Sequence, residues 1–193
     1  MKKKTMRQQQ AEETRERILK AVGEMLTQKS IQEMKIREIC TLAGISVGTF
    51  YLYFPCKEAA LLYGYRTLDH IFSSLTFTDN HRENVETVLR THIGLVTEED
   101  LPRVKQMYIC HLTYYDEYFF SEERPLFTAL YEQLAAYAPH LGEEETKELA
   151  WKLLSLSRGF MYNLCIRQEV EVSLWRERKL RELMEYMDFL LEK

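Results

Sequence analysis

Apolar residues recur every three or four positions along most of the chain, and that period is helical. Ile18, Ala21, Val22, Met25 and Leu26 stand at i, i+3, i+4, i+7 and i+8, one face of a helix. Leu149, Leu153, Leu156, Phe160 and Leu164 form a second such stripe, and Leu180, Leu183, Met184, Met187, Leu190 and Leu191 a third. No segment alternates apolar and polar residues as a half-buried strand would. The pattern predicts helices over Gln9–Gln28, Ile36–Leu42, Val47–Leu52, Lys57–Leu75 and His81–Val96, and a sixth that is signalled by Glu98-Glu99-Asp100-Leu101-Pro102 and runs to about Phe119. Three more follow: one opened by Pro125 and closed by Pro139 and Gly142, then Glu143–Gln168 and Ser173–Leu191. About nine helices and no strand make an all-α fold.

The second and third helices are the shortest, and Ala43-Gly44-Ile45-Ser46 joins them. Gly44 permits the positive-φ turn that a branched side chain resists. Ser46 is placed to cap the following helix by accepting from an orphan backbone N–H. That helix opens on small residues, Ser46, Val47, Gly48 and Thr49, which let its backbone approach a grooved partner. Two short helices about a tight glycine turn make a helix-turn-helix, whose second helix enters the DNA major groove. Double-stranded DNA is therefore the expected partner.

The same stretch resembles a known family. Thr14-Arg15-Glu16-Arg17-Ile18-Leu19, Ile39-Cys40, Ala43-Gly44-Ile45-Ser46, Gly48-Thr49-Phe50-Tyr51, Tyr53-Phe54 and Lys57-Glu58 are similar, in order and spacing, to the N-terminal domain of TetR-family regulators. The likeness covers about residues 9–60; the rest matches only in length and helical character. It implies an N-terminal three-helix DNA-binding domain at 1–58 and a larger helical effector-binding and dimerisation domain at 59–193. Three positions depart from the family's pattern. Cys40 stands where Ala is usual, Cys56 where Ser or Asn caps the fourth helix, and the usual Gly near Lys29-Ser30 is absent. Ser30 must then make that turn, or the helix ends differently.

Charge supports the division. The net charge is −4, but residues 1–60 hold 11 Lys/Arg against 7 Asp/Glu, and residues 61–193 hold 15 against 23. The basic part coincides with the helix-turn-helix, as an electrostatic footprint for DNA requires. Lys2, Lys3, Lys4 and Arg7 suggest a flexible basic arm over residues 1–8, either a solubilising tail or a phosphate or minor-groove contact. No apolar run is long enough to span a bilayer, and the N-terminus lacks a signal segment. A cytoplasmic bacterial protein, nucleoid-associated when bound to DNA and with no membrane partner, is expected. Cys40, Cys56, Cys110 and Cys165 form no CxxC pair, so reduced thiols are expected rather than a zinc site or disulfides. A redox pair such as Cys110 with Cys165 is the alternative.

DNA recognition needs base-edge readers on a short helix and phosphate clamps around it. Thr49 suits a base or a phosphate, and Val47 a thymine methyl. Lys57 adds an ammonium to a positive helix end, and Lys35 is a weaker phosphate candidate. The resemblance assigns a base contact to Arg37, a phosphate contact to Tyr51 and a second backbone contact to Tyr53. Arginine favours a bidentate grip on guanine, and a phosphate contact is the alternative for Arg37. The resemblance also implies a homodimer on a palindromic operator, since two recognition helices 34–36 Å apart suit successive major grooves. Its interface is expected on the last two helices, through Leu149, Leu153, Leu156, Phe160, Leu180, Leu183, Met187 and Leu190, although part of each stripe must be internal core.

The second domain is expected to sense a small molecule. Tyr108, His111, Tyr115, Phe127, Tyr131, Trp151 and Tyr162 are candidate pocket walls for an apolar or aromatic effector, with core packing as the alternative. His111 and Asp116 suggest an acid/base or metal pair, but no third ligand is in sight, so no metal and no cofactor are expected. There is no nucleophile motif, phosphate loop or HExxH, which argues against an enzyme. The function expected is a homodimeric repressor released from its operator by ligand. The alternatives are a ligand-independent architectural or division-control protein of the same fold, or an activator.

Overall fold

The computed structural model describes residues 5–167 and 171–192. Among them are ten α-helices, two 3₁₀ turns and no strand, so the chain is all-α. The helices are α1 (Met6–Leu26), α2 (Ile36–Ala43), α3 (Val47–Tyr53), α4 (Lys57–Arg66), α5 (His70–Ser73), α6 (His81–Gly94), α7 (Leu101–Thr113), α8 (Pro125–Tyr137), α9 (Glu143–Ile166) and α10 (Val172–Leu191). They form two compact units. One runs to Thr67 and includes Gln106–Asp116; the other takes Leu68–Lys105 and the described residues from Glu117 on.

The first unit begins earlier than its apolar period suggests. Thr5 and Gln8 form a reciprocal capping box, so α1 starts at Met6 and Arg7 is helical rather than part of an arm. Lys2, Lys3 and Lys4 lie outside the described residues. Ile18, Ala21, Val22 and Met25 are the buried face of α1, as the spacing predicts. At the helix end Thr27 stays right-handed, and the Gln28 and Lys29 amides both donate to Met25 O at 3.0 Å. Ser30 then serves where glycine is usual, its amide and hydroxyl donating to Glu33 Oε2 at 2.9 and 2.7 Å. Buried Ile31 and Met34 pin this loop inward, and Phe50 and Phe54 close the core from below α2. Cys40 is buried there as a small hydrophobe.

The predicted helix from Lys57 to Leu75 is interrupted at Thr67–Asp69 by a 3₁₀ turn, which raises the expected nine helices to ten. The Thr67 hydroxyl donates to Gly64 O at 2.6 Å, and the Asp69 side chain turns inward. The sixth helix, expected to run to Phe119, likewise stops at Thr113, and a second 3₁₀ turn spans Glu117–Phe120. The physical reason is polar in both cases: Asp69, Asp116 and the Phe119 carbonyl each serve an arginine, and an unbroken helix cannot present them.

In the second unit α6 packs on α8 and α10, and α9 packs on the same two helices. Val88, Leu89, Leu126, Leu130, Leu153 and Leu183 are fully buried between them. A polar knot lies inside this unit. Arg124, 6 % exposed, grips Asp69, 3 % exposed, with Nε to Oδ2 at 2.6 Å and Nη2 to Oδ1 at 2.9 Å. The Tyr118 hydroxyl donates to Asp69 Oδ2 at 2.8 Å, and Arg158 donates to Phe119 O at 2.8 Å. His92 is buried against the Ser157 hydroxyl at 3.0 Å. That hydroxyl donates its one proton to Leu154 O, so His92 Nδ1 is the donor.

Candidate nucleic-acid interface

The turn between α2 and α3 is fixed by backbone geometry. Gly44 adopts φ +64°, ψ +42°. Its amide donates to Thr41 O at 3.3 Å, and the Ile45 amide to Cys40 O at 3.0 Å, the two bonds of a Schellman ending. Arg17 on α1 donates Nη1 to Ala43 O and Gly44 O at 3.3 and 3.5 Å, tying the turn to the scaffold. Ser46 caps α3 by accepting from the Thr49 amide at 3.0 Å, and the two hydroxyls share a bond of 2.8 Å.

Helix α3 is held by one fully buried side chain, Phe50, flanked by Phe54 with ring centroids 6.1 Å apart. The rest of its surface stays outside. Ser46, Val47 and Gly48 are exposed, Thr49 is half-buried, and Tyr51 and Leu52 are 53 % and 83 % exposed. Arg37 is exposed on the first turn of α2, and its side chain has no hydrogen bond or ion pair among the described residues. Its guanidinium is therefore available to a ligand. The structure thus brings Arg37, Ser46, Val47, Gly48, Thr49 and Tyr51 onto two short helices whose relation is set by Gly44.

Two predicted contacts have additional duties. The Lys57 ammonium donates to Gln32 O at 2.9 Å and Met34 O at 2.8 Å, closing the loop after α1 onto the start of α4. One of its three N–H donors is left over from these bonds. Tyr53 is half-buried with the Arg15 guanidinium 5.7 Å from its ring centre. Cys56 caps α4 through a 3.4 Å bond from the Ala59 amide to Sγ, and burial pushes its thiol pKa up. The nearby carboxylates are engaged: Ser30 hydrogen bonds hold Glu33 below the usual range, and Lys29 does the same for Glu38 at 2.8 Å. Arg17 was not legible as a site residue. Only the Thr14–Leu19 motif pointed at Arg17, and a motif on one helix names no partner 26 residues away.

The candidate effector residues fall into separate groups. Phe127 stacks on Tyr131 with centroids 6.2 Å apart and meets Trp151 at 4.7 Å; Phe127 itself belongs to the buried core. Tyr162 is exposed on α9. Tyr108 and His111 are half-buried on α7 and Tyr115 is 75 % exposed, all in the first unit. Asp116 is bound by Arg66, with Nε to Oδ2 at 3.1 Å and a second contact from Nη2 to Oδ1. No group of three metal-ligating side chains occurs among the described residues. Cys110 and Cys165 are buried free thiols in different units. Burial drives the Cys110 pKa to about 12 and raises that of Cys165, which disfavours thiolate chemistry in both.

The dimer stripes can now be apportioned. Leu149, Leu153, Leu180, Leu183 and Met187 lie in the interior core of the second unit. Of the residues expected at the interface, only Leu156, Phe160 and Leu190 reach the surface.

Residues 18–63 match the family described as bacterial regulatory proteins, tetR family. The chain carries a TetR-family N-terminal domain. A curated relative from Bacillus subtilis strain 168, the uncharacterized HTH-type transcriptional regulator YdgC, is 36 % identical over 95 residues, 48 % of this chain. The match spans 42 % of that relative's own length. Among solved structures, a TetR transcriptional regulator from Rhodococcus sp. RHA1 superposes with a TM-score of 0.63 at 19 % identity, covering 93 % of this chain and 97 % of that one. Salmonella enterica GusR gives 0.54 at 16 %, covering 93 % and 96 %. These likenesses extend the shared fold beyond the TetR-type domain to nearly the whole chain. No helix among the described residues is long and apolar enough to cross a membrane.

Proposed function

We propose that this protein is a sequence-specific DNA-binding transcriptional regulator that acts as a homodimeric repressor. One observation carries the reading: a TetR-type α2–Gly44–α3 unit, rigid at its turn, leaves the start of α3 uncovered in the basic part of the chain. Helix α3 spends one aromatic anchor on its own core and presents small and hydroxylated residues outward, the shape a major groove admits. Arg37 serves as base reader beside it. Tyr51, Tyr53 and Lys57 serve as phosphate contacts around it.

A single unit touches too few bases for specificity, so two copies pair through α9 and α10 and read a palindrome. Leu156, Phe160 and Leu190 provide the apolar surface for that pairing. Relief of repression requires a ligand with unequal affinity for the DNA-competent and released states. A small apolar or aromatic effector at the Tyr131 and Trp151 faces fits that requirement, and the protein then works in the cytoplasm on the nucleoid.

Selection of bound duplexes from a random DNA pool tests the reading. A recovered palindrome with half-sites one helical turn apart supports it. Equal retention of all sequences by a folded protein overturns it.

A further inference from the structure

The first unit contains a cleft at the C-terminal end of α3. Its volume is about 170 Å³. A cavity of about 150 Å³ suffices for a benzene ring, so this one admits a single-ring molecule. Four aromatic residues wall it: Tyr53, Phe54, Tyr63 and Tyr114. Phe54 and Tyr63 meet edge to face at 5.6 Å, and the Arg66 guanidinium lies 5.8 Å from the Tyr63 ring centre.

The charges in the cleft select the ligand's sign. Arg66 and Asp116 both line it, and their bidentate pairing cancels them. Arg15 is then the uncompensated charge. Its guanidinium rests 5.2 Å from the Tyr63 ring centre and 5.7 Å from that of Tyr53. Among the described residues it makes no hydrogen bond or ion pair. A guanidinium held by aromatic faces keeps its five N–H donors, and its fork matches a carboxylate. The hydroxyls of Tyr53, Tyr63 and Tyr114 are likewise without a protein partner among the described residues.

We infer that this cleft binds a small planar aromatic monocarboxylate, its ring against Tyr63 and Phe54 and its carboxylate on Arg15. The site is distinct from the Phe127, Tyr131 and Trp151 residues of the second unit and does not depend on DNA binding. Because Tyr53 closes both the cleft and the end of α3, occupancy bears directly on the reading helix.

Benzoate titrated into the full-length protein, followed by backbone amide NMR shifts, is the test. Saturable one-to-one shifts confined to the residues around Arg15, to 53–66 and to 114–116 are expected. Arg15→Gln should weaken binding at least tenfold with the circular dichroism unchanged, and Arg15→Lys should weaken it less. Benzyl alcohol, which keeps the ring and loses the charge, should bind at least tenfold more weakly than benzoate. Unsaturable shifts, shifts centred on Phe127 and Trp151, or full affinity in Arg15→Gln would each overturn the assignment. So would absent benzoate binding together with loss of DNA affinity in Arg15→Gln, since that makes Arg15 a phosphate contact.

Discussion

The two units hold their shape by different means. In the first, short helices carry a surface that must stay open, and polar ties to backbone groups supply the rigidity. Gly44 turns the chain, Ser46 and Cys56 cap, Arg17 holds two carbonyls and Lys57 holds two more. In the second, long helices close over a continuous apolar core, and charge is admitted only as a saturated knot around Asp69 and Arg124. Chain positions 66 and 69 show the contrast at close range. Arg66 pairs with Asp116 in the first unit and remains 34 % exposed; Asp69 pairs with Arg124 in the second, and both are nearly sealed from water. A reading surface cannot gain stability by burial, so it gains it by hydrogen bonding to backbone groups that would otherwise be left at turns and helix ends.

The sharpest way to break this comparison is to unpair the sealed knot. Removing one partner of a buried ion pair costs about 3–5 kcal/mol, because the survivor is left charged and desolvated. Arg124→Ala should lower the stability of the second unit by that amount. The readout is denaturant unfolding followed by fluorescence of Trp151 and Trp175, which both lie in that unit. The double variant Asp69→Leu with Arg124→Met should cost less than Arg124→Ala alone. If Arg124→Ala unfolds within 1 kcal/mol of the parent, the knot is not what holds the 3₁₀ turn at Thr67–Asp69.

Much of the fold was legible beforehand, and the exceptions share a cause. The starts at Ile36, Val47, His81, Pro125 and Glu143 followed from caps, prolines and periodicity, which are local signals. The breaks at Thr67 and Thr113 did not. They depend on Asp69 and Asp116 meeting arginines 55 and 50 residues away, and no window of sequence holds both partners. The candidate interface was readable for the same local reason: a turn glycine, a capping serine and small residues lie within a few positions. The roles of Arg17 and Lys57 were not, because each donates to carbonyls that no side-chain pattern marks. The apolar stripes of α9 and α10 announced burial but not against what, and the structure places most of them in the core.

Acid should separate the units next. His92 is kept neutral, its pKa held well below the ordinary range first by burial and then by the charges of Arg158 and Arg124. The unfolded chain takes up that proton near pH 6.5 and the folded chain does not. Unfolding therefore binds protons, and stability falls as pH drops through the unfolded value. Below it, the loss approaches about 1.4 kcal/mol per pH unit. The difference between the parent and His92→Gln, measured by denaturant unfolding from pH 7 to pH 5, isolates this contribution. Equal slopes in the two proteins would remove His92 as the acid-sensitive group.

Lys57 tests the backbone ties of the first unit. Its two carbonyl contacts are charge-assisted but half in water, so Lys57→Met should cost about 2 kcal/mol. Thermal melting by circular dichroism reads that loss. The same variant should weaken DNA uniformly across sequences and flatten the salt slope. Tyr51→Phe should weaken DNA with no change in melting. A Lys57→Met protein that melts normally yet loses DNA would make the lysine a phosphate contact alone.

The smallest effect is the most local. A side chain at Gly44 meets no crowding, since the nearest atom to an added Cβ is Arg17 Nη1 at 3.7 Å. The cost lies in φ +64° itself, which L-residues resist by about 1–2 kcal/mol. Gly44→Ala should therefore destabilise the first unit by about 1 kcal/mol, and Gly44→Asn by less, because asparagine visits the left-handed region more readily. DNA affinity should follow the same order, Gly above Asn above Ala, since the angle between α2 and α3 passes through this one residue. Equal affinity in all three would mean that Arg17 alone sets the turn, and the Arg17→Ala variant would then show the loss that Gly44→Ala does not.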